Sequence, residues 1–284
     1  MVKVPFHQQV HGLLILLLGG VLAGCGVSID PVPKAPQVVA APDQIRLKKD
    51  RVTNQPVLNL LTLAEMDERA ERNLQNALQD YEMLGFQHIT ADRDPRLMRL
   101  ERIFIAVHQH SHLKASPLRI VLIDNPVFQA YTFGGGAVVF YTGLTERLND
   151  DELAAVIGHE IAHIAASHIA EQTSRSLVNI ESGYWEPSLT GLDALNAEME
   201  ADQIGLVYAT LAGFSPKASV QFWAKQAKQQ GQDILNPFAD SHPTYQDRAK
   251  YLQESADKLQ QLPRHLSDHD RHHLIFCNPI YCNQ

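Results

Sequence analysis

His159-Glu160-Ile161-Ala162-His163 sets two imidazoles four residues apart, with a carboxylate beside the first. On a helix, positions i and i+4 share a face one turn apart. Two imidazoles placed so can grip one zinc ion from one side, and Glu160 then stands where it can act on a water at the metal. The flanking residues predict that helix. Asn149-Asp150-Asp151-Glu152 offers a cap and an acidic first turn, and Leu153 to Ile157 is an apolar run. The pentapeptide alone also fits an ordinary helix. With one Zn2+ per chain, it points to zinc-dependent peptide hydrolysis.

Zinc in hydrolases takes three protein ligands and leaves one position for water. His168 follows His163 by five residues, and an unbroken helix would turn it about 140° away, so it is not expected to be the third. Its expected role is packing or a hydrogen bond behind the site. The acidic run Asn196-Ala197-Glu198-Met199-Glu200-Ala201-Asp202 opens a segment of helical pattern that continues through Ile204, Leu206, Val207 and Leu211. Glu198 and Asp202 are i and i+4. Glu198 can ligate the metal, and Asp202 can accept an N–H from a ligand histidine and fix its tautomer. Spacing alone does not separate Glu198 from Glu200, and a solvated acidic helix end remains the plain alternative.

The N-terminus bears on compartment. Lys3, His7 and His11 precede the apolar run Leu13 to Leu18, and small residues lead to Leu22-Ala23-Gly24-Cys25. This is the order of a secretory signal, and the apolar stretch is short of the roughly 20 residues of a spanning helix. Leu-Ala-Gly-Cys resembles a bacterial lipobox. The resemblance implies cleavage after Gly24 and a lipidated Cys25, a membrane anchor through several acyl chains. Gly26 in place of aspartate favours the outer membrane, facing the periplasm. In that oxidising compartment Cys277 and Cys282 are expected to form a disulfide.

The layout follows. Residues 1–24 read as leader and 25–57 as a Pro- and Ala-rich tether. Residues 58–264 read as the metallopeptidase domain and 265–284 as a tail. Helices are expected at Thr62 to Leu84, Arg96 to His112, Asp150 to Thr173, Ala194 to Leu211, Pro216 to Gln229 and Tyr245 to Leu262. Strands are expected at Leu118 to Ile123 and Ala137 to Thr142, and Ser174 to Thr190 reads as an irregular loop. The sum is a helix-dominated α+β chain with a small sheet packed on the metal helix. The formal charge of −8 and the absence of a basic cluster argue against nucleic acid as a partner. His108, His110 and His112 show no ligand pattern and read as solvated.

Together, His159-Glu160-x-x-His163 and Glu198-x-Glu200-Ala201-Asp202-x-x-Gly205 resemble the signatures of the HtpX-type heat-shock proteases and the CAAX prenyl protease Ste24, and in particular their soluble periplasmic members. Gly134-Gly135-Gly136 with the following strand, and Ser241-His242-Pro243 with Arg248, extend the likeness. It covers about Leu118 to Tyr251. Phe133 stands where family members often have proline. The resemblance implies a zincin-like fold, Glu198 as third zinc ligand and Asp202 behind a ligand histidine. It brings His242 near the metal, either as a fourth ligand that holds the enzyme idle or as a donor to the oxyanion. Arg248 would support His242 or bind substrate carbonyls. The strand Ala137, Val138, Val139 and Phe140 would be a sheet edge pairing with an extended protein or peptide substrate. The expected activity is an envelope metalloendopeptidase of protein quality control. The rival is an outer-membrane assembly chaperone with a latent or structural zinc, docking assembly machinery.

Overall fold

Residues 48–182, 187–230 and 245–261, with Ser267 and Asp270, are described by a computed structural model of the chain. The leader, Cys25, most of the tether, His242, Cys277 and Cys282 lie outside the described residues.

A short antiparallel hairpin, β1 (Lys48–Lys49) and β2 (Pro56–Val57), leads into α1 (Leu63–Met83). Thr62 and Glu65 form a reciprocal capping box at the start of α1. Its buried residues Met66, Ala70 and Leu74 recur every four positions, one helical stripe. After β3 (Gln87–Ile89), α2 (Pro95–His108) begins with Asp94 accepting from the Arg96 N–H, and proline stands at the helix start, where its missing N–H is harmless.

The main sheet adds β4 (Arg119–Asp124), β5 (Ala130–Thr132) and β6 (Ala137–Tyr141), in the order β3-β4-β6-β5. β6 runs parallel to β4, while β3 and β5 are antiparallel to their neighbours. Side chains alternate across the sheet. Leu122, Val138 and Phe140 join the main helical core, whereas Val121, Ile123, Val139 and Tyr141 pack with Leu74 of α1. Both faces are therefore covered, which accounts for the unbroken apolar run at 137–141. The edge role expected of Ala137, Val138, Val139 and Phe140 is corrected here. β6 lies between β4 and β5, and Val138, Val139 and Phe140 are each 0% exposed. Its backbone groups are already paired, so no substrate strand can add there. Among the described residues, β5 and β3 are the edges of this sheet.

After the short α3 (Thr142–Thr145) comes α4 (Asp150–Ala165), the axis of the molecule. Asn149 and Glu152 cap it reciprocally, as the acidic start suggests. Leu153, Ile157 and Ile161 are fully buried, each worth roughly 1.5–3 kcal/mol of transfer free energy. α5 (His168–Ser182), α6 (Pro187–Leu211), α7 (Pro216–Gln230) and α8 (Tyr245–Gln261) follow. α4 packs chiefly on α6, with α2, α7 and β5 against its other sides, and α8 closes over α6 and α7. The chain is helix-dominated α+β, as the periodicity predicts.

Two expectations fail around α5. The helix from Asp150 does not run on to Thr173. It ends at Ala165, Ser167 takes φ 59°, and α5 sets off bent by 46°. Nor are residues 174–182 and 187–190 irregular, since α5 continues to Ser182 and α6 begins at Pro187. Hydroxyls of α5 turn back on their own helix. Thr173 and Ser174 each donate to the carbonyl four residues earlier at 2.7 Å, and Ser176 does so at 3.0 Å. Among the described residues no single helix is long and apolar enough to cross a membrane. The bent pair α4–α5 passes by length and composition, but its α4 half is core.

Asn149→Ala should lower folding stability by about 1 kcal/mol in urea denaturation, and Asn149→Ser should restore most of it. An unchanged urea midpoint for the alanine variant would show that the cap does not hold the start of α4.

Candidate metal centre

α4 and α6 touch backbone to backbone. A Cβ built on Gly158 would lie 2.5 Å from the Gly205 carbonyl oxygen, and one on Gly205 would lie 2.4 Å from the His159 nitrogen. Only glycine at both positions permits this approach. Glu198, Asp202 and Gly205 follow i, i+4, i+7 spacing, so the two acids lie on the α6 face that meets α4. His159 and His163 stand opposite them, 4% and 3% exposed.

Three side chains converge. His159 Nε2 lies 3.0 Å from His163 Nε2, and Glu198 oxygens lie 3.5 Å from His159 Nε2 and 3.4 Å from His163 Nε2. Among the described residues these three form the group able to hold a metal ion. Ligands at roughly 2.0–2.1 Å from a tetrahedral zinc stand about 3.3 Å from one another, so the spacing fits the ion. The protonation states fit as well. Burial pushes the His163 imidazole down to about 4, which keeps it neutral and able to ligate at pH 7. Burial alone would raise Glu198, but His163 and His159 outweigh it and hold the carboxyl well below its usual range.

Glu160 is 3% exposed, and its Oε2 has no hydrogen-bond partner among the described residues. Burial, reinforced by the charge of Glu198 and opposed by His159, pushes its carboxyl up to about 7. A buried carboxyl left without a partner is costly unless a ligand, water or metal completes it.

Asp202 Oδ1 lies 2.9 Å from His159 Nδ1, on the far side of the ring from the cluster. Arg248 of α8 donates to the same carboxylate through Nε at 2.6 Å and Nη2 at 2.7 Å. Burial would raise Asp202, yet the Arg248 charge and hydrogen bonds leave it lowered. The expected role of Arg248 in binding substrate carbonyls is corrected. The side chain is buried, forks onto Asp202 and lies over the Trp223 ring at 3.6 Å. A guanidinium taken out of water needs such an anionic partner. Trp223 of α7 also packs beside the His159 ring, with centroids 5.8 Å apart. Nothing in its sequence neighbourhood, a tryptophan on an ordinary amphipathic helix, signals that position.

His168 stays outside the ligand group, as expected, but it is buried and its Nδ1 lies 3.0 Å from His163 Nδ1. The triplet read as solvated is partly structural. His108 lies between Ser111 and the Ser116 carbonyl, and His112 Nδ1 meets the Tyr208 hydroxyl at 2.8 Å.

Residues 95–191 match the model of Peptidase family M48. The chain is 30% identical to the mitochondrial metalloendopeptidase OMA1 of Arabidopsis thaliana over 51% of its own length and 33% of that protein's. It is 32% identical to the OMA1 of Schizosaccharomyces pombe over 60% and 54% respectively. It is 29% identical to a putative beta-barrel assembly-enhancing protease of Vibrio cholerae over 56% and 38%. The chain thus spans only about a third to a half of the lengths of these relatives. The fold is helix-dominated with small sheets, and the segment that matches the M48 model runs from α2 through α4 into α6.

Gly205→Ala should force α4 and α6 apart, costing about 1–3 kcal/mol as an overpacked core does, and should leave the protein with less than one zinc per chain after dialysis. Full zinc content with an unshifted melting curve would show that the glycine contact does not set the site. In metal-free protein, Asp202→Asn should destabilise most above the usual aspartate value of 3.8, because the lowered folded value makes the charged form the stabilising one. The gap between variant and wild type should narrow as pH falls through that range. A gap that widened on acidification would reverse the assignment.

Proposed function

We propose that the protein is a zinc-dependent metalloendopeptidase that cleaves unfolded or misassembled proteins of the bacterial cell envelope, with residues 58–264 as its catalytic unit. The observation that carries this reading is the buried group His159, His163 and Glu198, with the Glu160 Oε2 left without a hydrogen-bond partner among the described residues on the same helical turn. The metallopeptidase family match and the metalloendopeptidase relatives support it.

His159 and His163 through Nε2, with Glu198, would hold the zinc. Bound zinc supplies an electrophile that polarises the scissile carbonyl and eases ionisation of a water. Glu160, at about 7, is matched to neutral pH as a general base. It takes a proton on its free Oε2 and returns it to the leaving amine. Asp202 would keep His159 protonated at Nδ1, leaving Nε2 bare to ligate. Trp223 and the core around α4 exclude bulk water from behind. The substrate would lie extended along β5, the sheet edge packed against α4, and be read mainly by its backbone. That suits unfolded chains better than a single sequence motif.

His242 belongs to the proposal as a fourth ligand that holds the enzyme idle or as an oxyanion donor. Lipidation at Cys25 and Gly26 after it would place the enzyme at the outer membrane facing the periplasm, with Cys277 and Cys282 joined. Finer kinship with HtpX- and Ste24-type proteases is part of the same reading. Likeness to an assembly-enhancing protease supports outer-membrane assembly machinery as a partner.

Zinc content and casein cleavage should be measured together on wild type, Glu160→Gln and His242→Ala. Glu160→Gln should keep one zinc per chain and lose at least a hundredfold in cleavage. Cleavage surviving in that variant would sink the mechanism. Bound zinc without cleavage by any variant would favour a chaperone with a latent metal. Higher activity in His242→Ala would mark His242 as a latch, and lower activity would mark it as catalytic.

A further inference from the structure

His168 and Glu200 adjoin the ligand group, yet the chemistry above gives them no task. His168 Nδ1 lies 3.0 Å from His163 Nδ1, and His168 Nε2 lies 3.4 Å from Glu200 Oε2. His168 is 7% exposed, and its Nε2 makes no hydrogen bond of good geometry among the described residues. Its nearest anion is Glu200, half-buried on α6 between Glu198 and Asp202.

Proton bookkeeping gives this row a direction. His163 presents Nε2 to Glu198 and His159, so Nε2 must be bare to ligate and the ring proton sits on Nδ1. A hydrogen bond between two Nδ1 atoms takes one proton, so His168 Nδ1 accepts. A neutral His168 then carries its own proton on Nε2, facing the Glu200 carboxylate. The order is His163 to His168 to Glu200. It matches His159 to Asp202 on the other ligand, where the carboxylate acts directly.

The backbone is shaped for this. On an unbroken helix His168 would point about 140° away from His163. Ser167 at φ 59° ends α4 and starts α5 at His168 with a 46° bend, and the ring swings back against His163. A serine held in the left-handed region is unfavourable, and such strain persists where the surrounding structure requires it.

We propose that His168, anchored by Glu200, is the positioning residue that fixes the tautomer of His163 and so tightens zinc binding, an inference that rests on the metal reading above. The acidic run on α6 then has three separate tasks. Glu198 binds the metal, Asp202 orients one ligand histidine directly, and Glu200 orients the other through His168.

The test uses zinc affinity, by competition with a chromophoric chelator, and imidazole tautomers, by long-range 1H–15N NMR of the metal-free protein. His168→Phe, which fills the space without an acceptor, should weaken zinc about 10–100-fold. His168→Asn, whose amide oxygen can replace Nδ1, should recover most of the affinity, and Glu200→Ala should fall between. His163 should show the Nδ1–H tautomer in wild type and His168→Asn and lose that preference in His168→Phe. Wild-type affinity in His168→Phe, or an Nε2–H His163 in metal-free wild type, overturns this proposal alone. Wild type that takes up no zinc overturns the metal reading and this proposal together.

Discussion

Two helices can share a metal only if their backbones come close enough for short side chains to meet between them. Here that distance is set by Gly158 on α4 against Gly205 on α6, where any Cβ would meet backbone atoms within 2.5 Å. Large side chains at the crossing would hold the axes at the usual 8–10 Å or more. With none there, a carboxylate as short as Asp202 reaches the back of His159 while Glu198 reaches the front of the cluster. The residue spacing on α6 is useful only because of this contact. The same acids on a helix one side-chain layer further out would be a solvated face.

The close approach also makes the electrostatics severe. Glu160, Asp202 and Arg248 are all buried together with two imidazoles, where charge is expensive unless matched. Arg248 neutralises Asp202 and is itself sandwiched against Trp223. Glu198 is held well below its usual range by the two imidazoles it faces, and the Arg248 guanidinium lies 3.5 Å from its Oε2. A carboxylate and two imidazole nitrogens that converge in a buried site suit a cation. Glu160 is the exception that makes chemistry possible, since its charge is neither matched nor fully suppressed near pH 7.

The parts of this arrangement that were legible in the sequence are those decided locally. The start of α4 was readable because Asn149 and Glu152 cap it within four residues, and the ligand pair because i and i+4 meet on any helix. The parts decided by approach were not. Glu198 and Glu200 differ by a rotation on α6 whose meaning depends on where α4 lies, so resemblance rather than spacing chose between them. β6 had the pattern of a buried strand, but whether it is central or at an edge depends on β5, whose three residues Ala130, Tyr131 and Thr132 give too little alternation to read. Ser167 carries no mark of a left-handed residue, as a glycine would, and so the bend that returns His168 to the site was invisible. Ser174 and Ser176, in a stretch that reads as irregular, bond back to the carbonyls four residues earlier in α5.

The proposed seat of the substrate beside α4 raises a last mechanical question, since a three-residue strand is a weak element. It is held from behind. Ala130 packs toward the α4 core, and Tyr131, on the opposite face, meets Tyr141 of β6 and Tyr81 of α1. The Tyr141 hydroxyl donates to Tyr81 at 2.7 Å, and the Tyr81 and Tyr131 hydroxyls pair in turn. Burial pushes all three phenols up, so they stay neutral and able to donate throughout the physiological range. The hydroxyl chain ties the β5–β6 hairpin to α1. Among the described residues β5 is a sheet edge packed against α4, and these hydroxyls brace a strand too short to be rigid by itself.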